Sequence, residues 1–171
     1  MEPWSELIRW LYGDALQDTG FWYGHPLAEI KGLSDDELFW VPDATSLCLL
    51  WHVGHIAHRE RLHVAHLIQG QEAPLVPAAY EAFGTEWCSA GDLRQTVGSS
   101  DEVKVWVDGV RQESARFISS LTDKDLHRPA ARSPGFTVAQ WLLITVSHGA
   151  LHIGKIQALR HMLKGSRDNP C

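Results

Sequence analysis

The stretch from Thr137 to Gly165 sets the terms for the rest of the chain. Thr137-Val138-Ala139-Gln140 is a capping box, in which the threonine hydroxyl serves an early backbone N–H and the glutamine side chain reaches back to the cap, so a helix opens here. The pattern predicts that this helix runs to about residue 164 and stops near Gly165. At ~100° per residue, Trp141, Ile144, Thr145, His148, Leu151, His152, Ile156, Leu159 and Met162 gather on one arc. An apolar arc of that length must be buried against other elements. His148 and His152 lie in the middle of it, roughly 40° apart around the axis and about 6 Å apart along it, close enough to share one metal ion. Burying two unpaired imidazoles would cost several kcal/mol, roughly, unless their nitrogens are satisfied. Either each ring bonds a carbonyl or the other ring, or the pair holds a metal.

Partners for that arc are legible upstream. Trp4, Leu7, Ile8, Leu11 and Leu16 are at helical spacing behind Pro3 and predict a first helix over 4 to about 17. Thr19-Gly20 and Gly24-His25-Pro26 interrupt it, and a short helix over 27–31 is expected before another turn begins at 32–38. Pro42-Asp43 marks the start of a second helix over 44–69, with Asp43 or Thr45 as its cap and Gly70 closing it. Pro74, Pro77, Gly84, Gly91 and Gly98 punctuate 71–98, where no sustained period survives; a connection this long crosses a domain or shapes a site. Ser99, with Glu102 placed to complete a capping box, opens a third helix that Val103, Val107, Val110, Phe117, Ile118 and Leu121 carry to about 121. Pro129, Pro134 and Gly135 mark a loop before the last helix, and 166–171 reads as a polar, frayed tail. The expectation is one all-α domain over 1–171, a four-helix bundle with a long crossover between helices two and three.

Composition removes several functions. A net charge of -6 gives no broad basic field for nucleic acid or an anionic membrane. No segment approaches the ~18 uninterrupted apolar residues of a membrane span, and no basic, then apolar, leader opens the chain. Cys48, Cys88 and Cys171 are odd in number and far apart, which suits a reducing, cytoplasmic setting.

A third metal ligand has to come from another helix. The second helix carries His52, His55, His58, His63 and His66. His55 and His66 share a direction but lie three turns, ~16 Å, apart, and His58 points ~60° away from His55. His63 and His66 are near the C-terminal end, where the expectation is a solvated imidazole facing the helix dipole. His52 and His55 remain, and a helix that is apolar almost all round does not separate them. Cys48 lies two turns from His55, too far to ligate with it, and reads as a small buried hydrophobe.

Gly32-Leu33-Ser34-Asp35-Asp36-Glu37-Leu38, then Trp51-His52-Val53-Gly54-His55-Ile56-Ala57-His58-Arg59-Glu60, then His148-Gly149-Ala150-Leu151-His152-Ile153-Gly154-Lys155-Ile156, resemble in their order the DinB/YfiT-like superfamily of metalloenzymes. The resemblance implies a four-helix bundle with one histidine ligand on helix two and a His-x-x-x-His pair on helix four. The position that matches on helix two is His55, so the implied ligands are His55, His148 and His152. Lys155 departs from the family, whose members often carry glutamine there.

Three neutral imidazoles leave a divalent ion with open positions, as a catalytic site requires. Zinc is the default, with nickel and iron as alternatives. Relatives that use low-molecular-weight thiols imply transfer of such a thiol to an electrophilic small molecule; a hydrolase with a metal-bound water and a non-catalytic metal- or ligand-binding bundle, dimeric through an exposed helix face, are the alternatives. Arg59 and Lys155, each about one turn beyond a ligand, are the candidate substrate-binding cations, or else make surface salt bridges or snorkel. Glu60 points ~140° from His55 and is not a base candidate. Trp51 and Trp141 lie near the ligands, as pocket walls or as core.

Overall fold

The computed structural model describes residues 4–12 and 25–168, and the described chain is mostly helical, with one short hairpin. The helices are α1 (Trp4–Tyr12), α2 (Pro26–Glu29), α3 (Asp35–Leu38), α4 (Leu49–Glu60), α5 (Ala90–Val97), α6 (Ser100–Ser119), α7 (Asp123–His127) and α8 (Val138–Asp168). A π-helical stretch, Arg61–Ile68, continues α4 without a break, and a 3-10 helix, Ala78–Gly84, lies between it and α5. Antiparallel strands β1 (Pro129–Ala130) and β2 (Ser133–Thr137) pair ahead of α8. No helix among the described residues is long and apolar enough to cross a membrane.

The central element is α4, which packs against both α6 and α8, while α1 packs against α6, α7 and α8. Every residue from Leu49 to Ala57 is buried, which is why periodicity could not assign a face to this helix. One face of α6 is buried through Val103, Val107, Val110 and Ile118, as its spacing predicts. Between them Arg111, 1 % exposed in its side chain, bonds Glu60, which is fully buried, at 2.6 Å. The Arg111 guanidinium also lies 4.6 Å from the centre of the Tyr12 ring, tying α1, α4 and α6 together. Glu60 is thus held by Arg111 across the α4–α6 packing.

Several boundaries differ from the sequence expectation. The second helix starts at Leu49, with Cys48 at its cap position, and not near residue 44. Asp43 instead closes a local turn, accepting from the backbone N–H and hydroxyl of Thr45 and the hydroxyl of Ser46. Its side chain gives the backbone an alternative to helix. Gly70 ends the helix as expected, at φ 79°, and its N–H and that of Gln71 bond the carbonyls of His66 and Ala65. The hairpin completes this terminus, because Arg132 N and Ala131 N bond the Leu67 and Ile68 carbonyls. Residues 71–98, where no element was expected, hold the 3-10 helix and α5.

Among the described side chains of the first helix, Ile8 is buried, with Ser5 and Tyr12, whereas Trp4 and Leu7 are exposed; the Leu11 side chain lies outside those described. Leu16 and the breaks at Thr19-Gly20 and Gly24 lie outside the described residues. The capping box of α8 forms in both halves, Thr137 N to Gln140 Oε1 at 2.8 Å and Gln140 N to Thr137 Oγ1 at 3.3 Å. That helix runs through Gly165 to Asp168, since Gly165 does not take the positive φ of a helix-ending glycine. Its buried arc is also rotated from the one predicted. Leu142, Thr145, His152, Ile156, Leu159 and Leu163 face inward, while Ile144, Leu151 and Met162 are exposed. A helix with apolar residues nearly all round offers no unique face to a wheel.

Candidate metal centre

The packing of α4 on α8 brings His55, His148 and His152 together, with one ring nitrogen from each lying within 4.8 Å of the others. His55 Nε2 is 3.2 Å from His148 Nε2. On the other side of the His55 ring, Nδ1–H donates to the Phe83 carbonyl at 2.6 Å. A carbonyl can only accept, so the proton lies on Nδ1 and the Nε2 lone pair turns toward the cluster. Metal-binding histidines are commonly oriented by such a bond to their second nitrogen. The indole of Trp51 stacks on the same ring at 4.4 Å, fixing its plane.

The Phe83 carbonyl reaches His55 because Gly54 has no side chain. A Cβ on Gly54 would stand 2.4 Å from the Phe83 ring. The connection over 71–98 therefore supplies part of the site, through a residue for which neither motif nor periodicity gave a signal.

His52, which the residues alone left open as the third ligand, does not join the cluster. Its Nδ1 is 2.9 Å from Nδ1 of His152, and both rings are buried. With Nδ1 of His152 engaged in this way, Nε2 is the nitrogen left for an ion. His52 thus orients one ring of the cluster.

Burial keeps these rings neutral. His55 is pushed down to about 3, against the opposing bond to Phe83, and His52 to about 4. His152 falls to about 2, by burial first and then by its neighbours His55 and His148. His148, the half-buried member, is lowered by burial, Arg59 and Lys155, in that order. Neutral imidazoles offer lone pairs without first losing a proton. The donor set fits a divalent ion: three nitrogens converge, the free lone pair of His55 is fixed by its carbonyl, and the half-buried His148 marks the open side.

The family comparison agrees with this geometry. The family model for the DinB superfamily matches residues 27–156, a span that holds all three histidines. The chain belongs to the DinB superfamily. No curated protein matches it.

The remaining polar residues of this DinB-superfamily chain sort by position. Arg59 is half-buried and donates to the Gly84 carbonyl at 3.2 Å; its charge lowers His55, His63 and His148. Lys155 is exposed, and its charge bears on His52, His148 and His152. Both cations are therefore near the centre, each following one of its histidines in the chain. His58 packs against Gly84, where a Cβ would come within 2.5 Å of its ring, and its Nε2 is 3.5 Å from Glu81. His66 bonds the Gln71 carbonyl at the helix end. Cys48 is 1 % exposed and burial raises its thiol to about 11, so it is an inert core residue.

His63 corrects the sequence reading. It was expected at the solvated helix end, yet it is buried, with Nδ1 3.1 Å from Thr145 Oγ1 and its ring 5.0 Å from that of Trp141. The π-helical stretch explains the difference. At α-helical spacing His63 lies roughly 80° from His55. From Arg61 onward each residue turns about 20° less, which brings His63 to within about 20° of the His55 direction.

Proposed function

We propose that this chain is a metal-dependent enzyme on a four-helix bundle of α1, α4, α6 and α8, with a long crossover between α4 and α6. His55, His148 and His152 hold one divalent ion, zinc in preference to nickel or iron, and the reaction transfers a low-molecular-weight thiol to an electrophilic small molecule. The convergence of three neutral imidazole nitrogens within 4.8 Å carries the reading. A closed structural site would normally supply a fourth protein ligand, and none of the described residues adds a histidine, cysteine or carboxylate to this group.

When bound, the ion would favour the thiolate form of a thiol at neutral pH. The protein's own part is orientation and charge. Phe83 and His52 fix the rings of His55 and His152, and Trp51 closes off one face of His55. Arg59 and Lys155 place positive charge beside the centre, suited to an anionic group on the thiol or the electrophile.

The first test is elemental analysis of protein purified without metal-affinity chromatography, expected to give one ion per chain. A ligand at a thousandfold above its Kd adds about 4 kcal/mol, and in a chain of this size each kcal/mol shifts Tm by roughly 2–4 °C. Chelation should therefore lower Tm by about 8–16 °C. Protein lacking bound metal, with a Tm indifferent to both chelator and added zinc, would remove the proposal's basis.

A further inference from the structure

Two adjoining cavities lie along α6, and none of the three clustered histidines lines either of them. We propose that together they bind an aryl-alkanoate, an aromatic ring joined by a chain of several carbons to a carboxylate. The ring lies against Trp106, and the carboxylate is held by Arg116 and Ser114. This site is separate from the metal centre and does not depend on it.

The first cavity, about 430 Å³, is mostly apolar, with Leu75, Val76 and Pro77 from the crossover facing Trp106 and Val110 from α6. Trp106 is half-buried, and its ring is held by those of Phe83, stacked at 5.9 Å, and Tyr80, at 4.8 Å. A fixed indole among apolar side chains suits an aromatic ring. Gly109 keeps this cavity open. It sits in the middle of α6, where glycine weakens a helix relative to alanine. A Cβ there would meet nothing within 4 Å, so no neighbouring element excludes a larger residue. What the glycine leaves is space in the cavity wall.

The second cavity, about 210 Å³, is polar. Arg61 and Glu113 line both cavities, and their ion pair bridges the two. Arg61 also donates to the Leu75 carbonyl, at 3.1 Å. These two charges answer each other, so the sign of the second cavity is set by Arg116, which makes no ion pair among the described residues. Ser114 lines the same cavity and is 4 % exposed, and its hydroxyl has no hydrogen-bond partner among the described residues. On the same helix Ser119 donates to the carbonyl of Ala115, at 2.8 Å; Ser114 makes no such bond. A buried hydroxyl left without a partner is costly, and one that lines a cavity is placed for a ligand's oxygen. A guanidinium and a hydroxyl that both donate match an oxyanion.

The order of these groups sets the ligand's shape. Trp106, Gly109, Glu113 and Arg116 follow one another at spacings of three, four and three residues, and so share one face of α6. Roughly 15 Å of helix axis separates Trp106 from Arg116, of which the arginine side chain spans part. A chain of several carbons covers the remainder, passing the Arg61–Glu113 pair. The two volumes together fall within the ~300–1,000 Å³ of small-molecule sites.

The test is isothermal titration calorimetry with naphthylhexanoate and its uncharged amide, naphthylhexanamide. A charge-assisted bond to Arg116 should favour the carboxylate roughly tenfold in the wild-type protein. Arg116→Gln, at an exposed position, should bring the carboxylate down to the affinity of the amide and leave the amide unchanged. Gly109→Leu, which fills the first cavity and favours the helix, should abolish binding of both. The wild-type comparison needs no variant: equal affinities, or no binding of either compound, would overturn the proposal. A preference that survives Arg116→Gln, or binding that survives Gly109→Leu, would put the ligand elsewhere, the metal centre included, and would overturn it as well.

Discussion

Two histidines one turn apart on α4 do different work, and the difference lies in which atoms of α8 they meet. His55 Nε2 faces His148 Nε2, whereas His52 Nδ1 faces Nδ1 of His152. Removing His55 deletes a donor; removing His52 releases the orientation of a donor that remains. His55→Ala is therefore expected to abolish stoichiometric metal, while His52→Ala should still bind one ion with affinity reduced about 10- to 100-fold. Competition with a chromophoric chelator measures both, and metal retention by His55→Ala equal to that of His52→Ala would reject the assignment. Sequence could not make this distinction, because burial on every side of α4 erases the period that would have named a face. Family resemblance selected His55; the geometry adds the role of His52.

Helices with strong punctuation were legible, and those whose geometry departs from α were not. The capping box of α8, the glycine stop at Gly70 and the valine row of α6 each follow from local chemistry and appear as expected. The π-helical stretch Arg61–Ile68 left no mark in the sequence, so His63 was assigned to solvent when it faces Thr145. The segment 71–98 was illegible for a related reason: its place is set by contacts made across the fold, above all Phe83 lying on Gly54. Gly54→Ala puts a methyl group 2.4 Å from that ring, and the ring cannot simply retreat, being fully buried and stacked on Trp106 at 5.9 Å. Overpacking of this kind costs about 1–3 kcal/mol. Here it should also displace the carbonyl that orients His55, so Gly54→Ala is expected to lose both stability in urea and metal affinity. Unchanged metal affinity alongside the stability loss would separate the 3-10 helix from the centre and disprove its supporting role.

Across the molecule, a core that buries several imidazoles makes the metal-free protein sensitive to acid. Burial holds His52 and His63 near 4, His55 near 3 and His152 near 2, against 6.5 in the unfolded chain. The folded values are depressed, so below 6.5 the unfolded chain binds protons that the folded chain refuses, and stability falls with pH. Each such histidine adds a slope approaching about 1.4 kcal/mol per pH unit until the folded form also takes its proton. The loss should set in as pH drops toward 6.5, steepen below it and continue past 4, and above about 7.5 these groups should contribute almost no dependence. Urea midpoints measured in chelator at pH 7.5, 6.5, 5.5 and 4.5 should fall slightly over the first step and steeply after it. His63→Gln, which leaves the three clustered rings untouched, should decline less steeply, by up to one proton's worth of slope. A bound ion excludes protons from its ligands, so the metal-loaded protein should hold its midpoint to lower pH than the metal-free form. Identical profiles with and without chelator would show that no ion occupies these nitrogens, and a level profile down to pH 4.5 in chelator would show that the buried imidazoles take up protons without cost to the fold.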